Sequence, residues 1–169
     1  DADCPLIADE NGDFFRGDIV GILTAKAVGA KTVVTPVSSN TALELSGWFE
    51  QSIRTRIGSP YVIAGMDSVE KGVVAGFEAN GGFLLGSDVT LNHSTLSVLA
   101  TRDAVLPMLA IISLAKQSKI KASQLLAELP KRFTASDRIP GIATEWSRSM
   151  LGRLNDGSLN IEALLPVPL

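Results

Sequence analysis

The sequence predicts an α/β fold whose mixed, largely parallel sheet is flanked by helices. Strand-length runs at Thr32–Val37, Gln51–Thr55 and Val73–Phe77 alternate with helical segments starting near Asn40 and Ser59. That alternation is the mark of βα units, in which each strand returns to a parallel neighbour through a helix. Each run also ends in a loop of Ser, Asn, Gly or charged residues, as the carboxyl ends of parallel strands commonly do.

The elements follow in order. Pro5–Ala8 reads as a short strand, Glu10-Asn11-Gly12-Asp13 as a turn and Phe14-Phe15 as its return, because Asn-Gly between apolar pairs is a strong hairpin signal. Gly17-Asp18 opens a helix whose apolar positions Ile19, Val20, Ile22, Leu23 and Ala27 recur at helical spacing, and Gly29 stops it. After the three βα steps, Phe83-Leu84-Leu85 reads as a further strand. Thr101-Arg102-Asp103 starts a long helix to about Lys116, with Thr101 as N-cap and Pro107 near its first turn. Ser123 caps a shorter helix ending before Pro130, Glu145–Leu154 forms an amphipathic helix, and the tail 164–169 is apolar without a partner.

A chain of 169 residues suffices for one domain, with room for fragments of neighbours. Hydrophobic residues make up 46% and charged residues 20%, and the net charge of −3 lacks the basic excess of a nucleic-acid binder, so no nucleic-acid partner is expected. The lone cysteine, Cys4, has no disulfide partner within the chain and points to a reducing compartment. No apolar run reaches the roughly 18 residues of a membrane span, so no membrane partner and a cytoplasmic location are expected.

Ligands of open α/β sheets collect beyond the carboxyl ends of the strands. That rule gathers Ser38-Ser39-Asn40, Arg56-Ile57-Gly58-Ser59 and Gly76-Phe77-Glu78-Ala79-Asn80-Gly81-Gly82 into one candidate site. Together they offer hydroxyls, amides, a carboxylate, a guanidinium and exposed backbone N–H groups, an inventory suited to a sugar phosphate. Helix capping alone is the competing account of the serines and asparagine. At the start of the chain, Asp1 and Asp3 are spaced so that both carboxylates reach one cation if the backbone curls, as Mg²⁺ with its oxygen ligands would require; a solvated end is the alternative.

Taken in order, "DADCPLIADENGDFFRGD", "VSSN", "TRIGSPYV", "EKGVVAGFEANGGF", "TRDA" and "FTASDR" resemble the α-D-phosphohexomutase superfamily, the phosphomannomutases, phosphoglucomutases and phosphoglucosamine mutases. The resemblance runs from Asp1 to about Arg138 and implies the third of four domains. On that reading 1–16 end a metal-binding second domain, 17–138 are the sugar-recognition domain, and 139–169 are a linker and the start of a fourth. It implies phosphoryl transfer between the 1- and 6-positions of a hexose phosphate through a hexose 1,6-bisphosphate, with Mg²⁺ in the complete protein. Hexose 1-phosphate, hexose 6-phosphate and the remaining domains of the parent chain are the implied partners. The phosphoserine falls outside these residues, so the fragment alone is expected to be inactive.

The resemblance assigns Glu78 and Asn80 to the sugar loop, Arg56, Gly58 and Ser59 to a further substrate loop, Ser38 to the same site, and Asp1 and Asp3 to the metal loop. Cys4 stands where the family's metal loop has arginine, Asn80 where the sugar loop has serine, and Gly82 where it has histidine. A noncatalytic sugar-phosphate-binding or scaffold module is the rival reading. Within the enzyme class, glucose or glucosamine phosphate remains open as substrate.

Overall fold

The structure, a computed structural model, describes residues 3–91, 93–136 and 140–159. Of these, the residues up to Thr134 form one compact unit and those from Ala135 onward a second. In the first, helix α1 (Gly17–Ala27) precedes strand β1 (Thr32–Pro36), the single-turn helix α2 (Ala42–Leu45), β2 (Gln51–Thr55), α3 (Ser59–Asp67), β3 (Val74–Phe77) and β4 (Phe83–Leu85). A small hairpin, β5 (Val89–Leu91) and β6 (Ser94–Leu96), leads into β7 (Leu99–Asp103), helix α4 (Val105–Ser118) and a 3-10 helix over Ala122–Glu128. The second unit holds α5 (Thr144–Asn155), close to the Glu145–Leu154 helix expected from its amphipathic pattern.

The main sheet has the order β2-β1-β3-β4-β7. β1 lies parallel to both β2 and β3, with Pro36 opposite Thr55 and Val34 opposite Gly76. β4 turns back antiparallel, and β7 is antiparallel to β4. The carboxyl ends of β1, β2 and β3 therefore share one rim. β7 runs in their direction and brings Asp103 level with Phe83 and Phe77.

Alternation along the strands divides the core into two layers. Val33, Ala75, Phe77, Phe83 and Leu85 join the cluster that contains Val20, Leu23 and Ala25 of α1. Val34, Val74 and Leu84 pack with Val62 and Met66 of α3. All five residues of β1 are buried, as a strand covered on both faces must be. α1 ends where Gly29 (φ +70°) enters the left-handed region; the N–H groups of Gly29 and Ala30 then close on the carbonyls of Lys26 and Ala25, the Schellman arrangement.

Four expectations need correction. Thr101 caps nothing: it lies in β7, and Asp103 Oδ1 accepts the N–H groups of Val105 and Leu106 at the start of α4. Ser123 lies inside the 3-10 helix, where its hydroxyl donates to Glu10 Oε1 at 2.5 Å. Pro5–Ala8 and Phe14-Phe15 meet through only the Ala8–Phe14 bridge and the Phe15 N–H to Ile7 carbonyl bond, because the Asp9 carboxylate takes the N–H groups of Asn11 and Asp13 for itself. The helix near Asn40 is a single turn. The apolar tail 164–169 lies outside the described residues.

Both helix layers approach the sheet through glycines. A Cβ on Gly21 would overlap the Phe77 ring, and one on Gly65 would stand 2.7 Å from Val34 Cγ1. In an open helix, Gly→Ala stabilises by roughly 0.5–1 kcal/mol; here overpacking reverses the sign. Gly21→Ala is expected to destabilise by about 1–3 kcal/mol, whereas Gly152→Ala in α5, with nothing within 4 Å of the new methyl, should stabilise. Urea midpoints at constant m measure both.

Candidate functional site

The first rim loop is held from within. Arg54, on β2, donates from Nη1 to the carbonyls of Pro36 (2.9 Å) and Ser39 (3.0 Å) and from Nη2 to that of Asn40 (3.2 Å). The same guanidinium clasps Glu44 through Nε–Oε1 at 2.6 Å and Nη2–Oε2 at 2.8 Å. Burial pushes the Glu44 carboxyl up, but the bonds from Arg54 outweigh it and leave the group below its usual value. Asp18, fully buried at the start of α1, accepts the Asn40 N–H through Oδ2 and the Ile19 N–H through Oδ1, both at 3.0 Å. Asn40 Oδ1 takes the Ala42 N–H, and its amide donates to the Arg132 carbonyl. The Thr35 hydroxyl donates to the Phe77 carbonyl at 2.8 Å and lies 2.7 Å from that of Ser39, which donates to it in turn. Of Ser38-Ser39-Asn40, only Ser38 is exposed.

The second loop follows β2. Arg56 is exposed, its guanidinium carbon 5.8 Å from the centre of the Tyr61 ring. Gly58 adopts φ +126°, a conformation side chains disfavour, and turns the chain into α3, where Ser59 is the first residue and Pro60 follows it.

The third loop carries the buried carboxylate. Glu78 is only 7% exposed. Its N–H donates to the Gly82 carbonyl and its carbonyl accepts the Gly81 N–H, both at 2.9 Å, so the loop closes on itself. Asn80 Oδ1 accepts the Gly82 N–H at 3.0 Å, which fixes the turn and leaves its amide hydrogens exposed with the residue. Gly17, first in α1, abuts this loop so closely that a Cβ there would overlap the Asn80–Gly81 peptide. Gly81, at φ +96°, would place a Cβ 3.2 Å from Gly17 Cα.

Arg102 ties this loop to the start of the chain. Its Nε donates to Glu78 Oε2 at 2.9 Å and its Nη1 to Asp3 Oδ2 at 2.6 Å. Arg102 holds the Asp3 carboxyl below the usual range, with the Cys4 thiol helping, and the two carboxylates raise the guanidinium in return. Burial and the neighbouring Asp3 carboxylate push the Cys4 thiol up, so it stays protonated at neutral pH. Asp3, Ser59, Thr101 and Arg102 share an open cavity of about 260 Å³.

Among the described residues, no group of three or more His, Cys, Asp or Glu side chains is placed to hold a metal ion. Asp3 suits a hard cation as one ionised oxygen ligand, although Oδ2 already faces Arg102; the Cys4 thiol does not suit one. Asp1 lies outside the described residues.

The structure thus brings Asp3, Ser59, Glu78 and Asn80 to one end of the rim, with Gly58 immediately before Ser59. Of the sequence-predicted residues described, Asp3 and Ser59 line the cavity beside Arg102, and Glu78 is joined to it through its bond to Arg102; Ser38, Arg56, Gly58 and Asn80 do not line it. Sequence reasoning assigned no site role to Arg102, Arg54 or Asp18. Arg102 belongs to the "TRDA" segment, which by local signals reads as a helix start, whereas the residue lies in β7.

The chain is thus a three-layer α/β domain with a carboxylate-bearing glycine loop at the strand rim. Residues 16–133 match the family model for phosphoglucomutase/phosphomannomutase, alpha/beta/alpha domain III. The chain belongs to that family. It is 46% identical over 153 residues to a phosphomannomutase of Salmonella muenchen, covering 89% of this chain and 32% of that one. It is 39% identical over 167 residues to a phosphomannomutase of Sinorhizobium fredii, covering 97% of this chain and 35% of that one. The chain therefore spans about a third of the length of these relatives. Its fold is also that of N-acetylphosphoglucosamine mutase of Aspergillus fumigatus, with a TM-score of 0.51 at 18% identity over 75% of this chain and 30% of that one.

Two expectations test how the rim is held. Because the Glu44 carboxyl lies below its usual value, the stability it contributes is complete above its unfolded pKa of about 4.3 and is lost as pH falls through the lower folded value. Glu44→Gln should cost about 1 kcal/mol or less at pH 7, and the gap to wild type should close as denaturation is followed below that unfolded value. Gly17→Ala should cost about 1–3 kcal/mol and shift the amide resonances of Glu78–Gly82 more than that of Ser38.

Proposed function

We propose that the parent protein is a phosphomannomutase-type phosphohexomutase, an isomerase that moves a phosphoryl group between the 1- and 6-positions of a hexose phosphate by way of a hexose 1,6-bisphosphate. The observation that carries this is Glu78, a buried carboxylate at the carboxyl end of β3 within a loop of glycines. Family membership and two phosphomannomutase relatives supply the class of reaction. On this reading Glu78 accepts hydrogen bonds from sugar hydroxyls, the Asn80 amide donates to the ring substituents, and Ser38, Gly58 and Ser59 line the rim. Arg56 supplies an exposed cation for a phosphate. Such positioning and charge stabilisation are most of what phosphoryl transfer asks of a protein.

The complete protein would use Mg²⁺, which neutralises charge on the transferred phosphoryl group when bound, and a phosphoserine as carrier. From this chain Asp1 and Asp3 would contribute carboxylates. Residues 1–16 would end the metal-binding domain, 17–138 form the sugar-recognition domain and 139–169 lead into the next; the fragment alone would be inactive. A cytoplasmic location fits a phosphorylated sugar substrate, and no described helix is long and apolar enough to cross a membrane.

A noncatalytic sugar-phosphate-binding module is the second reading, favoured by Cys4 and by the pairing of Asp3 with Arg102. Assays of the full-length protein on mannose, glucose and glucosamine 1-phosphates separate the two and settle the sugar. Glu78→Gln should lower kcat/KM by about 10- to 100-fold, the worth of one hydrogen bond to a charged group. Wild-type turnover that the substitution leaves unchanged would remove Glu78 from the site. Sugar-phosphate binding without turnover would favour the module.

A further inference from the structure

Gly82 is a glycine with no conformational reason to be one. Its φ lies outside the left-handed region, unlike that of Gly81 beside it, so the backbone admits any residue. What it lacks is room. A Cβ at this position would stand 3.0 Å from Arg102 Cδ, 3.2 Å from Cγ and 3.4 Å from Nε. The missing side chain of the sugar loop thus makes space for the Arg102 stem.

β7 is bent to the same end. Phe83 pairs with Asp103 while Leu85 pairs with Leu99, so five residues of β7 oppose three of β4. Irregularities of this kind re-aim a side chain at the rim of a sheet. The guanidinium then lies between Glu78 Oε2 and Asp3 Oδ2, two carboxylates far apart in the chain. Side-chain exposure is 33% for Arg102, 29% for Asp3 and 9% for Glu78. An ion pair so open to water on the Asp3 side adds little stability, which makes fold maintenance a weak account of so specific an arrangement.

Resting on the sugar-binding reading of Glu78, we propose that Arg102 is a positioning residue for substrate. By occupying Oε2 through Nε, it fixes the carboxylate plane and leaves Oε1 as the oxygen free to meet sugar hydroxyls. Through Nη1 it locks that orientation to the acidic segment at Asp3. Glu78 therefore offers one oxygen whole and the other in part, and Arg102 sets which. A lysine cannot reproduce this, because one ammonium lacks the planar fork that spans two carboxylates.

The test uses the full-length protein, with kcat, KM and melting temperature measured for Arg102→Lys, Glu78→Gln, the double variant and Gly82→Ala. Arg102→Lys should melt close to wild type yet raise KM for the hexose 1-phosphate about tenfold. The double variant should be no worse than Glu78→Gln alone, since both changes undo one contact. Gly82→Ala keeps the arginine but crowds its stem, and should raise KM in the same direction even if Arg102→Lys fails to fold. A folded Arg102→Lys with KM within twofold of wild type, or single losses that multiply in the double variant, would overturn the proposal. If the wild-type protein isomerises no hexose phosphate, the functional reading falls separately. The link is then read from the Arg102 Nε–Hε resonance in ¹⁵N-labelled protein: movement on both Glu78→Gln and Asp3→Asn upholds it, and indifference to either refutes it.

Discussion

The distance between two backbones governs this domain. α1 meets β3 through Gly21 against the Phe77 ring and meets the loop after β3 through Gly17 against the Asn80–Gly81 peptide. These glycines are four residues apart and so lie on one helix face. On the opposite layer, Gly65 of α3 stands over Val34, and Gly76 of β3 faces Val62, whose Cγ1 would be 2.6 Å from an added Cβ. β3 is thus pressed from both sides, and the rim loop inherits its place from that compression. The loop that carries Glu78 is held against the helix start at the Asn80–Gly81 peptide as well as by its own bonds.

Two arginines then divide the polar work. Arg54 spends its donors on backbone carbonyls and Glu44, which closes the loop after β1 and leaves Ser38 outward. Asp18 secures the same loop from the other side through the Asn40 N–H. Arg102 instead joins side chains only, one nearly buried and one half-exposed. Bonds to main chain make a scaffold whose geometry a ligand cannot alter cheaply. Bonds between side chains leave a group that the substrate, on the proposed reading, would meet.

Much of this was legible in the residues. The three parallel strands, the common rim and the Glu78 loop followed from βα alternation and from glycine placement, because hydrophobic period and turn chemistry are local signals. The loop at Ser38-Ser39-Asn40 was read as ligand-facing, whereas Ser39 and Asn40 are buried in internal bonds; nothing local reveals that Arg54 and Asp18 reach them from other elements. β7 was missed for a related reason. Thr101-Arg102-Asp103 looks like a helix start, and Asp103 does cap α4, but Asp103 also pairs with Phe83 of β4, and Leu99 with Leu85, across an irregularity that only tertiary contact creates. The β5–β6 hairpin left no clear trace, since most of its residues are exposed and lack the alternation that betrays a half-buried strand.

The rim is consequently uneven, and under the proposed function that unevenness has a use. After β1 and β3 the loops are fixed by buried hydrogen bonds, so their oxygens and amides sit in place before any ligand arrives, and little ordering cost attends a contact with them. After β2, the Arg56 carbonyl accepts the Thr55 hydroxyl, but its exposed guanidinium lies over the Tyr61 ring, and Gly58 supplies the turn beneath it. Under the proposed function, a cation on a long, exposed stem would suit a phosphate, because its attraction depends on distance more than on exact direction. Hydroxyl recognition needs the opposite, a fixed acceptor. The division follows from which loops the core reaches: the two beside α1 are pinned, and the one at the sheet edge is not.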